Sequence, residues 1–167
     1  MDALIEKIQE TPVSIGFLKR RVPPGVTVIA LRQLKGKTRA QLFSRRKPVV
    51  VLIPKKGERV GHFIVLIPRE RTIEYFSSLG NSPQSELAAL QEPRDEMMRI
   101  LGPNPVYNRT KLQSGAYSVN DCAAWVLARV ILWKLKLRDF ISLFRRKVLR
   151  GPDELVAVMA LLHFVDQ

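Results

Sequence analysis

The chain has 167 residues, 46% of them hydrophobic, which is enough for the core of one domain and excludes a disordered or fibrous protein. Its 28 Lys and Arg stand against 15 Asp and Glu, a formal net charge of +13, and such an excess implies a polyanionic partner. One cysteine excludes a disulfide-stapled secreted scaffold, and apolar runs such as Leu155 to Val165 fall well short of the roughly 20 residues of a membrane span.

Met1 is followed by Asp2 and Glu6 rather than by a basic and then apolar segment, which predicts an intracellular chain that is not secreted. Leu4, Ile5 and Ile8 have the spacing of a short amphipathic helix from Asp2 to Gln9, ended by Pro12. Pro23, Pro24 and Gly25 form a turn before a strand from Val26 to Leu31. Leu34 to Arg46 is basic and lacks a period, so it reads as a loop or weak helix.

Three strands are then expected in close succession. Val49 to Ile53 is a β-branched run between Pro48 and Pro54, His62 to Ile67 ends at Pro68, and Thr72 to Phe76 precedes Gly80. The segment from Lys55 to Arg59 reads as a hairpin tip, and connections this short favour antiparallel pairing. Ser82 as N-cap and Pro83 at the first position predict a helix to Leu101, broken at Pro93. Gly102 to Ala116 is irregular. Helices from Asp121 to Leu135, Leu137 to Val148 and Pro152 to Val165 complete the chain. Strands followed by helices give an α+β class, a small antiparallel-type sheet packed on a helical subdomain, in one domain spanning 1–167.

The charge is concentrated. Thirteen basic residues and one acid, Glu58, lie between Lys19 and Arg59, and a second basic cluster runs from Lys134 to Arg150. These clusters read as a surface for double-stranded DNA. The residues expected to carry it are Lys19, Arg20, Arg21, Lys35, Lys37, Arg39, Arg45, Arg46, Lys47, Lys55, Lys56, Arg145, Arg146 and Lys147. No helix-turn-helix or zinc-finger pattern is visible, so binding should be indifferent to sequence.

Two histidines and one cysteine limit the chemistry. His62 opens a strand after Gly61. Cys122 starts a long apolar helix behind Asn120 and Asp121, two candidate N-caps, where the positive end of the helix dipole favours thiolate. An imidazole beside it would stabilise the thiolate and later protonate the leaving group. The competing assignment of Cys122 is a small core residue. His163, among Leu161, Leu162 and Phe164, reads as packing.

Three blocks occur in order: Gly61-His62-Phe63 with its strand to Ile67, the turn Tyr75-Phe76-Ser77-Ser78-Leu79-Gly80, and Leu112-Gln113 ahead of Asn120-Asp121-Cys122-Ala123-Ala124-Trp125. Together they resemble the adenovirus-type (adenain-like) viral cysteine proteases, whose relatives include virophage and Polinton-type maturation proteases and, distantly, the SUMO deconjugases. The likeness is strongest over 49–167, with 1–48 an N-terminal helix and basic segment. It implies an adenain-like fold, His62 as general base, Cys122 as nucleophile and Gln113 as oxyanion donor together with the Cys122 backbone N–H.

Two positions depart from that pattern. Ala123 stands where the family has Gly, and Ser77 stands where it has an acid. Glu74 is three residues earlier on the same strand and so on its opposite face. The group orienting His62 is therefore expected among Ser77, Ser78, Asn81 and water.

The resemblance implies a thiol endopeptidase of a DNA virus that cleaves precursor capsid or core proteins during virion maturation, held on DNA by its basic surface. It would work in the virion and the infected-cell nucleus or cytoplasm, without a metal or cofactor, with double-stranded DNA or a peptide as activator and no membrane partner. A single cysteine leaves no second sulfur for a disulfide-linked activator. The alternatives are a catalytically weak or inactive DNA-binding virion protein and, less favoured, a deconjugase of ubiquitin-like modifiers.

Overall fold

The computed structural model describes residues 13–55, 61–113 and 119–145, with side chains of 119–121 excepted. The expected helices Asp2 to Gln9 and Pro152 to Val165, the hairpin tip beyond Lys55, and Lys56, Arg146 and Lys147 lie outside these residues.

The apolar runs bounded by prolines become the centre of a five-stranded sheet. Strands β2 (Val49–Pro54), β3 (Gly61–Pro68) and β4 (Ile73–Phe76) pair antiparallel, as the short connections predict. Gly61 faces Pro54, and a Cβ there would run into the β2 backbone, 2.9 Å from the Pro54 Cα. The edges differ from the expected pairing. Strand β1 (Thr27–Ala30) pairs parallel with β2, and a two-residue β5 (Val106–Tyr107) pairs parallel with β4. The sheet is thus mixed, in the order β1-β2-β3-β4-β5.

Each parallel pair needs a crossover, and helical segments supply both. Between β1 and β2 run a 3-10 turn (Leu31–Leu34) and a one-turn helix capped by Thr38, labelled α2 (Arg39–Leu42) after α1 (Ile15–Lys19). Between β4 and β5 run α3 (Pro83–Ala89) and α4 (Asp95–Leu101). Ser82 caps α3 with Pro83 at its first position, and the Pro93 region separates the two helices, as the sequence predicts.

The remaining helices are α5 (Val119–Ile131) and α6 (Leu137–Arg145). One sheet face, with Phe63, Val65, Ile67 and Phe76, packs on Trp125 of α5 and on Phe140 and Phe144 of α6. The other face, with Ile64, Leu66 and Tyr75, packs on Leu87, Met97 and Ile100 of α3 and α4. Burial on both faces explains why β2 and β3 read as continuous apolar runs rather than alternating ones. The class is α+β, as expected. Among the described residues no helix is long and apolar enough to cross a membrane.

Candidate active site

Alternation along β3 sends neighbouring residues to opposite faces. Phe63 enters the core beneath α5, while the His62 ring finds its partners on the α3 side. The Cys122 sulfur accepts the backbone N–H of Phe63 at 3.5 Å. Imidazole and thiol therefore meet β3 at adjacent residues, next to the Gly61 end of the strand. His62 and Cys122 are both fully buried, and Gln113 is 1% exposed.

Ser77 holds the position after β4 that the resemblance assigns to an acid. Its Oγ lies 3.0 Å from His62 Nε2 and donates to Glu86 Oε1 at 3.0 Å. The same Glu86 oxygen is 3.3 Å from Nε2. Tyr75 donates to the other carboxylate oxygen at 2.7 Å, and Asn81 also hydrogen-bonds the carboxylate. Of the four expected orienting groups, then, Ser77 meets the ring and Asn81 meets Glu86. Ser78 points elsewhere: its Oγ donates to Gln113 Oε1 at 2.7 Å.

Glu86 is the member that sequence reading missed. A signal was present: Pro83, Glu86 and Leu87 of α3 and Leu90 at its C-cap are all buried and follow the i, i+3, i+4, i+7 stripe. A carboxylate inside an apolar stripe needs a polar partner across the interface. Glu74 has a different role, as its position on the opposite face requires. It bonds Arg129 on α5 at 2.7 Å and Arg69 at 2.7 Å.

Burial drives both titratable groups toward neutrality. Desolvation lowers the His62 pKa from 6.5 to about 3. Desolvation raises the Glu86 pKa from 4.5 to about 7, against the opposing hydrogen bonds from Tyr75, Ser77 and Asn81.

The turn after β4 is pinned from both sides. Asn108, next to β5, accepts the Ser77 N–H at 3.1 Å and donates to the Ser77 carbonyl at 2.6 Å. Gly80 has φ +72°, and a Cβ there would lie 2.6 Å from the Thr110 backbone, so only glycine permits this approach. The contact brings the N–H groups of Leu112 and Gln113 to the Ser78 carbonyl, at 2.8 and 3.1 Å. Helix α5 begins at Val119, so Asn120 and Asp121 lie in its first turn rather than at a cap, and Cys122 is the fourth helical residue.

Most of the expected DNA-facing residues are exposed: Lys19, Arg20, Lys35, Lys37, Arg39, Arg45, Arg46 and Arg145. Lys55 is half-buried. Arg21 stacks on Phe17, the Lys47 ammonium lies 5.3 Å from the Trp133 ring centre, and Arg39 Nε donates to the Ile100 carbonyl at 2.6 Å. Lys37, Arg45 and Lys47 line a cleft of about 310 Å³ together with Gln33, Gln41 and Ser44, and among the described residues no acidic side chain lines it.

No protein-family model matches the chain, and no curated protein matches it by sequence. Among solved structures it is similar to the C-terminal Ulp1 protease domain in complex with Smt3, the yeast ortholog of SUMO, at 15% identity over 99% of this chain and 77% of that one, with a TM-score of 0.33. It is also similar to the SUMO protease Ulp1 with its catalytic cysteine oxidized to a sulfinic acid, at 17% identity over 96% and 78% of the two chains, again with a TM-score of 0.33.

Proposed function

We propose that the protein is a thiol endopeptidase in which His62 activates Cys122. One observation carries this reading: a buried imidazole is held by a hydroxyl and a carboxylate on the strand whose next backbone N–H meets the only thiol of the chain. The thiol proton passes to the imidazole, the sulfur attacks the peptide carbonyl, and the leaving amine takes the proton back. Water then hydrolyses the thioester. The hydrogen bond from Ser78 fixes which way the Gln113 amide faces, with its oxygen toward Ser78. This suits the NH₂ end to an oxyanion.

Burial of all three groups makes the described state a closed one, which favours an enzyme that needs an activator. Precursor proteins of a DNA virus are the proposed substrates, and double-stranded DNA held by the basic cleft is the proposed activator and tether. The same burial favours one other reading, a non-catalytic DNA-binding protein in which Cys122 is core.

A peptidyl acyloxymethyl ketone, with and without double-stranded DNA, separates them. The hydrolase reading expects Cys122 to be alkylated in the activated protein and this to be lost in His62→Ala. Equal labelling of both proteins, or none under either condition, assigns Cys122 to packing.

A further inference from the structure

We propose that Glu86, supplied by helix α3, is the carboxylate that positions His62, acting on Nε2 directly and through the Ser77 hydroxyl, in place of an acid on β4. The inference deepens the reading of a His62–Cys122 hydrolase and rests on it.

The hydrogen-bond directions carry it. Ser77 Oγ accepts the Leu79 N–H at 3.3 Å, which leaves the hydroxyl one further lone pair and one proton. The proton goes to Glu86 Oε1. An ionised Glu86 can only accept, so the other lone pair must take a proton from His62. That proton is on Nε2, which leaves Nδ1 as the basic nitrogen. The ring is thus held in one tautomer by a chain from Nε2–H to Ser77 to Glu86. When Nδ1 takes the thiol proton, the carboxylate stabilises the imidazolium without receiving a proton itself.

The geometry also explains why position 77 is neutral. Glu86 Oε1 already lies 3.0 Å from the Ser77 oxygen. An acid at 77 would place two buried carboxylates side by side, and one of them would have to stay protonated. A carboxylate at 77 and one at 86 are alternatives.

Protonating Glu86 frees the chain to reverse. The acid would then donate to Ser77, the hydroxyl to Nε2, and the ring proton would move to Nδ1, the wrong tautomer for a base that takes the thiol proton there. The groups that meet Glu86 are His62 on β3, Tyr75 and Ser77 on β4 and its end, and Asn81 before α3. On α4, Glu96 and Arg99 bond each other on the outer side, and Asp95 is exposed.

Ring ¹⁵N shifts test this in the full chain, with His163→Gln leaving one histidine. The shifts of His62 should move with a midpoint near 7, reporting Glu86, with Nε2 protonated on the alkaline side. Glu86→Gln should remove the midpoint. Tyr75→Phe, which deletes one hydrogen bond to the ionised carboxylate, should raise it by about one unit. An unchanged midpoint in either variant, or protonated Nδ1 on the alkaline side, overturns the proposal; the second variant serves if the first does not fold. None of these readouts needs turnover. Loss of cleavage with the titration intact would defeat the hydrolase reading alone.

Discussion

The Cys122 sulfur lies 3.5 Å from the backbone nitrogen of Phe63, the residue after His62. The helix that carries the thiol is thereby registered against the strand that carries the imidazole. Both groups are fully buried, so access limits reactivity before thiolate character does. Iodoacetamide should label Cys122 slowly in the resting protein and completely in urea, read as a single adduct by mass spectrometry. Under the activated conditions Cys122→Ala should abolish cleavage. Fast labelling of the resting protein would show that the closed state is not the one in solution.

Glu86 and Ser77 should behave as one unit under substitution. Ser77→Asp alone buries a second carboxylate beside the first and should lower thermal stability. Ser77→Asp with Glu86→Gln returns a single carboxylate to the pair and should recover most of the loss. Neighbours in one network typically couple by about 0.5–3 kcal/mol. Additive losses in a double-mutant cycle would leave the two residues as independent structural groups.

The pH dependence of stability has a definite sign for each member. His62, lowered to about 3 from 6.5, binds its proton only when unfolded between those values, so its contribution rises with pH across that window. Glu86, raised to about 7 from 4.5, stays protonated only when folded between those values, so its contribution falls with rising pH there. The windows overlap between 4.5 and 6.5, where the two slopes cancel. Urea titrations of Glu86→Gln should therefore show a steeper rise of stability with pH in this overlap than the wild type. Parallel curves would mean that the two groups do not share one neutral buried state.

How far the sequence revealed this site follows from where its information sits. The central strands were legible because Pro48, Pro54 and Pro68 bound their apolar runs, and Ser82-Pro83 marked the start of α3. Strand β5 was not legible, since a two-residue strand exists only through its pairing with β4. The three-residue offset excluded Glu74 from the imidazole, and that residue instead bonds Arg129. Glu86 was missed because its neighbours in space come from β3 and β4, and no local pattern states which helix face will cover which strand. The basic cleft is a similar case. Lys37, Arg45 and Lys47 were counted as charges, but the turns around α2 gather them.

Glu74 and Arg129 are expected to serve stability rather than chemistry. Arg129 is fully buried and donates twice to Glu74 Oε1, at 3.0 and 2.7 Å. Removing one partner of such a pair leaves an uncompensated buried charge and typically costs about 3–5 kcal/mol. Glu74→Gln should lower the unfolding free energy by that order, read from the denaturation midpoint, and leave the His62 titration where it is. A shift of that titration would connect Glu74 to the site across the sheet.

The basic cleft sets the salt dependence expected for DNA. Each phosphate contact releases counterions and contributes roughly 0.9 to the slope of log affinity against log salt. Lys37, Arg45 and Lys47 share one lining that is acid-free among the described residues, so a phosphate backbone entering it would meet three cations at once. Arg39 is exposed but has its Nε committed to the Ile100 carbonyl, tying α2 to α4. The triple substitution of Lys37, Arg45 and Lys47 by Ala should reduce the slope by up to about three and weaken unrelated duplexes alike. Arg39→Ala should lower thermal stability with a smaller change in slope, which separates an architectural arginine from phosphate-facing ones. Fluorescence anisotropy of a labelled duplex across a salt series reads both effects. An unchanged slope in the triple variant would move the DNA contact to other basic residues, and binding that does not weaken with salt would exclude a phosphate-led interface altogether.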